Sequence, residues 1–191
     1  MVIEKRNKVV DEKKEKDRGT TTTARGPRKL SEYGRQLYEK QKIKRMYGLR
    51  ENQFRRFYLN AVKSEGAPGE VLLSFLERRL DNTVYRLKIA TSRAQARQIV
   101  VHGHVLVNGQ RVHSPSYLVK TNDVISLAEN VKEKKVFLEQ VVDKRLKIGI
   151  KVPEWLELDK KERKGQVLRL PVRSDIQVPI EEHLIVEFYS K

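Results

Sequence analysis

Two arginines four residues apart stand at the start of a predicted helix, in the stretch SRAQARQIV. Residues spaced by four lie on one helical face, so Arg93 and Arg97 would project together near a helix N-terminus, where backbone N–H groups already attract an anion. Ser92 opens an S-x-x-Q capping box there, and Gln98 adds a hydrogen-bonding side chain. Arg86 precedes them on a neighbouring predicted helix. This combination suits contacts with the phosphates of a nucleic-acid backbone, which position a protein without reading base sequence.

The same arginines would also fit a solvated helix face, so the composition of the whole chain decides how they are interpreted. Of 191 residues, 41 are Lys or Arg and 25 are Asp or Glu, which gives a net charge of +16. The excess is concentrated in the first third of the chain. Aromatic residues from Tyr33 to Tyr58 are interleaved with the charges there, which argues against a merely solubilising tail. A strongly basic chain repels itself until a polyanion neutralises it, and nucleic acid is the commonest such partner.

The aspartates give little indication of an enzyme. Four of them are isolated from any second acid, base or nucleophile at a catalytic spacing: Asp81, Asp123, Asp143 and Asp175. Asp81 lies among arginines, with which it would form helix-surface ion pairs, and Asp123 lies in a predicted turn, where its side chain can bond to the backbone. No Gly-rich phosphate loop occurs. We therefore expect that the chain is not an enzyme and needs no cofactor.

Three histidines, His102, His104 and His113, lie close enough in sequence to suggest a metal site. Cysteine is absent from the chain, and no convincing Asp or Glu partner accompanies the histidines. His102 directly precedes Gly103, the predicted end of its helix, where a histidine commonly meets the last carbonyl groups. We expect no metal, and a His102 that lies near a phosphate.

The periodic apolar residues predict a mainly helical first half. Predicted helices run from Ser31 to Tyr47 with Gly48 closing it, from Glu51 to Lys63, from Val71 to Leu87 and from Arg93 to Val101. The second of these carries a full apolar stripe, made of Phe54, Phe57, Tyr58, Ala61 and Val62. A Gly-Ala-Pro-Gly sequence separates the second helix from the third.

The second half adds strands. Asn108-Gly109 between apolar residues is the pattern of a type I′ hairpin over Leu106–Val112. Further strands are predicted at Tyr117–Val119, Val124–Leu127 and Gln166–Leu170, and a helix at Val131–Ile148. The segment Ile180–Tyr189 fits a helix or a strand, and we favour a helix. We expect Trp155, Phe188 and Tyr189 in the core or at docking contacts.

Several segments, taken in order, resemble known sequences. The α-L RNA-binding module is similar to RLDNTVYRL at 79–87, SRAQARQIV at 92–100 and HVLVNGQRV at 104–112. The bacterial small-subunit ribosomal protein S-four family is similar to the flanks: KLSEYGRQLYEKQKIKRMYGLRENQFRRFY at 29–58, GEVLLSFLERRLDN at 69–82, VPEWLELD at 152–159 and RSDIQVPIEEHLIVEFYSK at 173–191. The module alone is appended to many RNA enzymes, whereas the flanks make the resemblance specific over residues 29–191.

The resemblance implies an α+β fold in four parts. A basic flexible arm would cover residues 1–28, and a mostly helical domain residues 29–75, completed by about 176–191. The α-L domain, of two helices and a small antiparallel sheet, would cover 76–130, and a helix-and-strand extension at 131–175 would pack on it. Many relatives begin with a cysteine-bearing, sometimes zinc-binding segment, which this chain lacks. We expect lysines and arginines to hold its arm on RNA electrostatically.

By the same resemblance, the chain would bind small-subunit ribosomal RNA directly, at a multi-helix junction of the 5′ domain and early in assembly. It would touch a neighbouring subunit protein at an interface that influences decoding accuracy, and it would line the mRNA entrance. Some relatives also repress their own message. The residues expected to contact RNA are Lys42, Lys44, Arg45, Arg50, Arg55, Arg56, Arg79, Arg86, Ser92, Arg93, Arg97, Gln98, His102, Asn108 and Arg111.

No stretch of the chain has the pattern of a signal peptide or the apolar length of a membrane span. We therefore expect a cytoplasmic, ribosome-bound protein with no membrane contact and no small-molecule substrate. Two other classes carry the same module. An RNA-modifying enzyme such as a pseudouridine synthase would need a catalytic domain, for which the segments already assigned leave no room. A free RNA-binding regulator, such as a heat-shock factor, would lack the flanks at 29–58 and 152–191.

Overall fold

The computed structural model describes residues 30–129, 151–176 and 178–190, so the predicted arm and the predicted helix at Val131–Ile148 lie outside it. The described helices are α1 (Glu32–Met46), α2 (Glu51–Val62), α3 (Pro68–Glu77), α4 (Leu80–Arg86), α5 (Arg93–Val101) and α6 (Glu182–Ser190), with a 3₁₀ turn at Arg173–Asp175. The strands are β1 (Val105–Val107), β2 (Gln110–Arg111), β3 (Val124–Leu127), β4 (Leu156–Asp159) and β5 (Lys164–Val167). The predicted α+β fold is confirmed. None of the helices in the described ranges is both long and apolar enough to cross a bilayer.

Helices α1, α2, α3 and α6 share one cluster of buried apolar residues. It includes Ile43 from α1, Phe54 from α2, Leu72 from α3 and Ile185 from α6. Burial of one apolar face of each helix drives this packing. After α1 the chain turns at Gly48, whose φ of 62° is the left-handed conformation expected just beyond a helix end. The predicted boundaries of α1 and α2 agree with the structure to within one residue, and the predicted stripe on α2 is confirmed except at its last position, which is half exposed.

The last segment forms helix α6, the alternative favoured from the sequence. Ile185 is fully buried. The ring of Tyr189 stacks on that of Tyr58, with centroids 4.5 Å apart. Lys40 of α1 places its ammonium 4.3 Å from the centroid of the Phe188 ring, at a distance where a cation is attracted to an aromatic face. The docking role predicted for Phe188 and Tyr189 is confirmed.

The predicted single helix over Val71–Leu87 is wrong, because the chain breaks between α3 and α4. Arg79 is extended, with φ −61° and ψ 135°, and forms an isolated antiparallel bridge with Leu118. Beside the bridge, Val119 N donates to the Arg78 carbonyl at 2.9 Å. The predicted strand at 117–119 is reduced to this single bridge. The leucine spacing hides the break, since the leucines on either side of it remain four apart while they enter different clusters.

The five strands form one antiparallel sheet in the order β2-β1-β3-β5-β4. The predicted hairpin is confirmed: Asn108 and Gly109 have φ of 51° and 81°, as a type I′ turn requires. Strand β3 has its predicted bounds, whereas β5 begins two residues before the prediction and ends at Val167. Strand β4 was not predicted.

The sheet and helices α4 and α5 enclose a second apolar cluster. Leu87 at the end of α4, Val100 on α5, Ile125 on β3 and Trp155 before β4 are all fully buried in it. Trp155 is thus a core residue, as predicted. Strands β4 and β5 follow the other elements in the chain by some thirty residues or more, yet they complete this core. The hairpin of β4 and β5 therefore helps to hold α4 in place, and α4 carries Arg86 of the candidate site.

Candidate nucleic-acid interface

Helix α5 begins with the cap that the sequence predicts. The Ser92 side chain accepts a hydrogen bond from Gln95 N at 3.2 Å. The Gln95 side chain turns back to Thr91 instead of Ser92, accepting 2.7 Å bonds from its backbone N–H and its hydroxyl. No acidic side chain occupies the first turn of the helix. The positive end of the α5 dipole is therefore not neutralised by its own helix, and it can attract an anion.

Arg93, the first residue of α5, is held from three sides. Its Nε donates to Asn82 Oδ1 at 2.8 Å. Its guanidinium carbon lies 5.0 Å from the ring centroid of Tyr47 and 4.7 Å from that of Tyr85, which are distances for cation–π attraction. Among the described residues its two terminal nitrogens have no hydrogen-bond partner. Arg93 is therefore fixed in direction and keeps donors for a phosphate.

Arg97, one turn further along α5, is more open. Its side chain is 43% exposed, and its nearest charged neighbour is Asp81, with Nη1 and Oδ2 3.5 Å apart. Gln98 is exposed beside it. At the end of the helix, the exposed His102 lies parallel to His104, with ring centroids 5.9 Å apart. The structure thus brings Ser92, Arg97, Gln98 and His102 to one exposed helix.

Arg86 of α4 is tied to a buried carboxylate. Its Nε and Nη2 donate to Glu77 at 2.9 and 2.7 Å, and its side chain is only 20% exposed. The Tyr47 hydroxyl and the Asn82 amide donate to the same carboxylate at 2.6 and 2.8 Å. Desolvation acts to raise the pKa of Glu77, but Arg86, Tyr47 and Asn82 outweigh it, so the pKa is lowered. Burial and then the Glu77 charge raise the pKa of the Tyr47 hydroxyl.

Arg79 does not lie at the surface in this structure. Its side chain is 1% exposed and pairs with Asp81 through bonds of 3.1 and 2.7 Å. Its guanidinium also lies 5.5 Å from the centroid of the Phe57 ring. The surface ion pairs expected for Asp81 are corrected accordingly, because Asp81 is itself 5% exposed. Arg79 lies at the break between α3 and α4, and its guanidinium is buried there.

The β1–β2 hairpin carries two candidate RNA-binding residues, Asn108 and Arg111, and only the Arg111 side chain has no bond to the rest of the described protein. Arg111 is exposed on β2. Asn108 uses its side chain inside the protein: its amide nitrogen donates to Asp123 Oδ1 at 2.8 Å, and its oxygen accepts from Val124 N at 2.9 Å. The other Asp123 oxygen accepts from Lys120 N at 2.7 Å. Asp123 therefore serves the turn, as predicted, and Asn108 anchors the hairpin.

A second group of cations lies on α1, on α2 and in the turn between them. Four of them are exposed: Arg45, Arg50, Arg55 and Arg56. The two lysines are paired within the protein, because Lys42 donates to Glu39 at 3.0 Å and to the Pro179 carbonyl at 2.6 Å, and Lys44 donates to Glu51 at 3.0 Å. The structure thus brings four exposed arginines to one pair of helices. Lys44 ties α1 to α2, and Lys42 ties α1 to the segment before α6.

Sequence reasoning missed Glu77 and Asn82 as acceptors for the arginines, and it placed the ion pairs of Asp81 at the surface. Glu77, Asp81 and Asn82 are all nearly inaccessible, and between them they bind Arg79, Arg86, Arg93 and Arg97. One signal was available, since Glu77 lies four residues after Leu73 and therefore on the apolar side of α3. In the described part of the chain no group of three or more His, Asp or Glu side chains could hold a metal ion.

Two family models match adjoining parts of the chain. Residues 2–77 match the ribosomal protein S4/S9 N-terminal domain, and residues 78–125 match the S4 domain. The boundary between the two matches falls at the break between α3 and α4.

Relatives of high identity carry one name. Small ribosomal subunit protein uS4 from Caldicellulosiruptor bescii is 56% identical over 164 residues, which is 86% of this chain and 77% of that protein. The uS4 proteins of Acetivibrio thermocellus, at 54% over 164 residues, and of Halothermothrix orenii, at 52% over 163 residues, cover 86% and 85% of this chain and 77% of their own lengths.

Proposed function

The chain belongs to the uS4 family of small-subunit ribosomal proteins, with an RNA-binding S4 domain, and we propose that it is a non-catalytic structural component of the small ribosomal subunit that binds the subunit's RNA directly. Its partners in this role are small-subunit ribosomal RNA and neighbouring small-subunit proteins. The ribosome in the cytoplasm is then its location.

The start of α5 is the observation that carries this proposal. An uncompensated helix N-terminus, the exposed Arg97 and the directed donors of Arg93 lie within one turn of helix. Phosphate is the ligand that such a combination favours, because the dipole and the cations act on the same charge. Gln98 and the exposed face of Ser92 would bind sugar or phosphate oxygens beside it.

We assign two further contact regions to the RNA. The exposed arginines Arg45, Arg50, Arg55 and Arg56 would follow a second stretch of backbone, and Arg111 with His102 would extend the first. Lys44 keeps N–H donors for a phosphate beside its bond to Glu51. Lys42 directs its donors to Glu39 and the Pro179 carbonyl, so it would act on the RNA through its charge alone. Arg86 and Arg79 contribute from the interior, where Arg86 retains a partly exposed guanidinium and Arg79 supports the fold.

The finer role follows from the resemblance described above. The proposed RNA site is a multi-helix junction of the 5′ domain, bound early so that the protein nucleates assembly of the body. A neighbouring subunit protein would form the interface that supports accuracy, with mRNA near its entry channel. The four-part division at residues 28, 75, 130 and 175 belongs to this proposal. The two separate apolar clusters support it, because they give the helical part and the module a core each.

The test is binding of the full chain to a transcript of the 5′ domain of small-subunit ribosomal RNA at several salt concentrations. Arg93→Ala with Arg97→Ala should weaken binding and reduce the slope of log K against log salt by about 0.7–0.9 for each phosphate that is no longer bound. The matched control removes two exposed lysines from the turn between β4 and β5, Lys160→Ala with Lys161→Ala, which changes the net charge equally. Equal slopes for the two variants would contradict the assignment to α5.

A further inference from the structure

Glu77 is the acceptor on which the candidate site converges. It is the last residue of α3, and it is 1% exposed. Its oxygen Oε1 accepts from Tyr47 and from Arg86 Nη2, and its oxygen Oε2 accepts from Asn82 and from Arg86 Nε. A carboxylate has about four lone-pair sites. All of them are used here, by groups from the end of α1 and from α4.

The carboxylate reaches a second arginine through Asn82. The amide nitrogen of Asn82 donates to Glu77 Oε2 at 2.8 Å and to the Glu77 carbonyl at 3.0 Å. Because both donors of this amide face Glu77, its oxygen is directed the other way, where it accepts from Arg93 Nε at 2.8 Å. The Tyr47 hydroxyl that binds Glu77 also fixes the ring on which Arg93 stacks. Glu77 therefore constrains Arg93 by two routes.

Both arginines keep donors that no described residue of the protein accepts. Nη1 of Arg86 and both terminal nitrogens of Arg93 have no hydrogen-bond partner among the described residues. A free arginine side chain loses considerable rotamer entropy when it binds, so holding it by Nε in advance makes a phosphate contact less costly. We propose, on the basis of the proposed function, that Glu77 is a positioning residue for RNA binding. It orients Arg86 directly, and Arg93 through Asn82, towards the phosphate backbone.

A purely structural ion pair is the competing explanation, and the chain provides a matched example of one. Asp175 is a carboxylate with a 5% exposed side chain that accepts two bonds from Arg169, at 2.6 and 2.8 Å. It thus has the same chemistry as Glu77 with Arg86, but it is bonded to none of the candidate RNA-binding residues. Replacing it should affect folding alone.

The experiment compares Glu77→Gln and Asp175→Asn in the full chain, each measured for thermal unfolding and for affinity to the 5′-domain transcript. Both variants should unfold at a lower temperature. Glu77→Gln should bind RNA roughly tenfold more weakly at a temperature where it is folded, which is within the effect of one misplaced arginine, and Asp175→Asn should bind as the wild type does. In a background of Arg86→Ala with Arg93→Ala, Glu77→Gln should cause no further decrease in affinity.

The positioning role would be overturned if Glu77→Gln bound RNA with wild-type affinity. It would also be overturned if Glu77→Gln caused the same decrease in affinity in the chain that lacks Arg86 and Arg93. Neither result touches the proposed function, which fails if the wild-type chain itself does not bind the 5′-domain transcript. If Glu77→Gln does not fold, Asn82→Ala carries the test, because it removes the acceptor of Arg93 and leaves both bonds between Glu77 and Arg86 in place. It should weaken binding severalfold, and it should have no effect on affinity once Arg93 is alanine. A decrease that persists without Arg93 overturns the proposal.

Discussion

Leu87 lies directly against the backbone of Gly165, so closely that a Cβ placed on Gly165 would stand 2.4 Å from both terminal methyl carbons of Leu87. Leu87 follows α4, and Gly165 lies in β5. Leu87 is fully buried in the apolar cluster that the sheet encloses with α4 and α5. Glycine is therefore required at this point of β5 because of close approach, since the residue has no positive φ to explain it.

Gly165→Ala should reduce the free energy of unfolding by roughly 1–3 kcal/mol, because the added methyl group overpacks the core. Urea denaturation measures this effect. Gln166→Ala, at the exposed next position of β5, is the control and should stay within about 0.5 kcal/mol of the wild type. Equal midpoints for the two variants would show that Leu87 can move aside.

Glu51 should make the stability of the chain depend on acid pH. Desolvation acts to raise the pKa of Glu51, but hydrogen bonds from Lys40, Lys44 and Tyr189 outweigh it and lower the pKa from 4.5 to about 2. A carboxyl group whose pKa is lower in the folded state stabilises the protein above its unfolded pKa. That contribution is lost as the pH falls from about 4.5 through about 2.

The measurement is the free energy of unfolding of the wild type and of Glu51→Gln between about pH 5 and pH 2. The wild type should be the more stable at the upper end, and the difference should shrink towards the lower end. Glu65→Gln removes an exposed carboxylate with the same change of charge. A difference that is constant over this range, or one that matches the Glu65 control, would argue against the three-donor contact.

Tyr189 combines a hydrogen bond with a ring contact, and two substitutions separate them. Its hydroxyl donates to Glu51 at 3.0 Å, and its ring stacks on Tyr58. Tyr189→Phe removes only the hydrogen bond and should cost about 1 kcal/mol. Tyr189→Ala removes both and should cost roughly 2–4 kcal/mol. Chemical denaturation of the two variants tests this, and equal costs would mean that the ring does not hold α6.

Substitution of Arg79 should affect stability, whereas substitution of Arg111 should affect RNA binding. Arg79→Met leaves the buried Asp81 without its bidentate partner, and it should destabilise the fold by about 3–5 kcal/mol while leaving the salt slope of RNA binding unchanged. Arg111→Met, at an exposed position on β2, should reduce that slope by about 1 and leave unfolding nearly unaffected. Denaturation and salt-dependent binding are measured for both. A reduced slope for folded Arg79→Met would place its guanidinium on the RNA.

Local features of the fold could be predicted because they depend on neighbouring residues. The cap at Ser92, the turn at Asn108-Gly109 and the helical spacing in α2 are set within a few positions, and each agrees with the structure. The break at Arg79 depends on a bridge to Leu118, almost forty residues away. Helical periodicity carries no information about such a contact.

The candidate site was predicted in part for the same reason. Residue type and spacing identified Arg93 and Arg97 at a helix start, which is a local property. Which arginines face solvent is decided by tertiary packing. Arg79 was therefore expected at the surface, whereas it packs against Phe57 of α2, and Glu77 was not anticipated. Strand β4 escaped prediction because its short run acquires its strand character from pairing with β5.

The late position of β5 and α6 in the chain has a consequence for the order of events during synthesis. Ile185 of α6 completes the apolar cluster of the helical part. Gly165 of β5 packs against Leu87 in the apolar cluster between the sheet, α4 and α5. A growing chain leaves its exit tunnel with the N-terminus first, so the helices that carry the candidate arginines emerge while both cores are still open. Folding of either part must then wait for the final segments. Until they arrive, the cationic helices are available to RNA before their mutual arrangement is fixed.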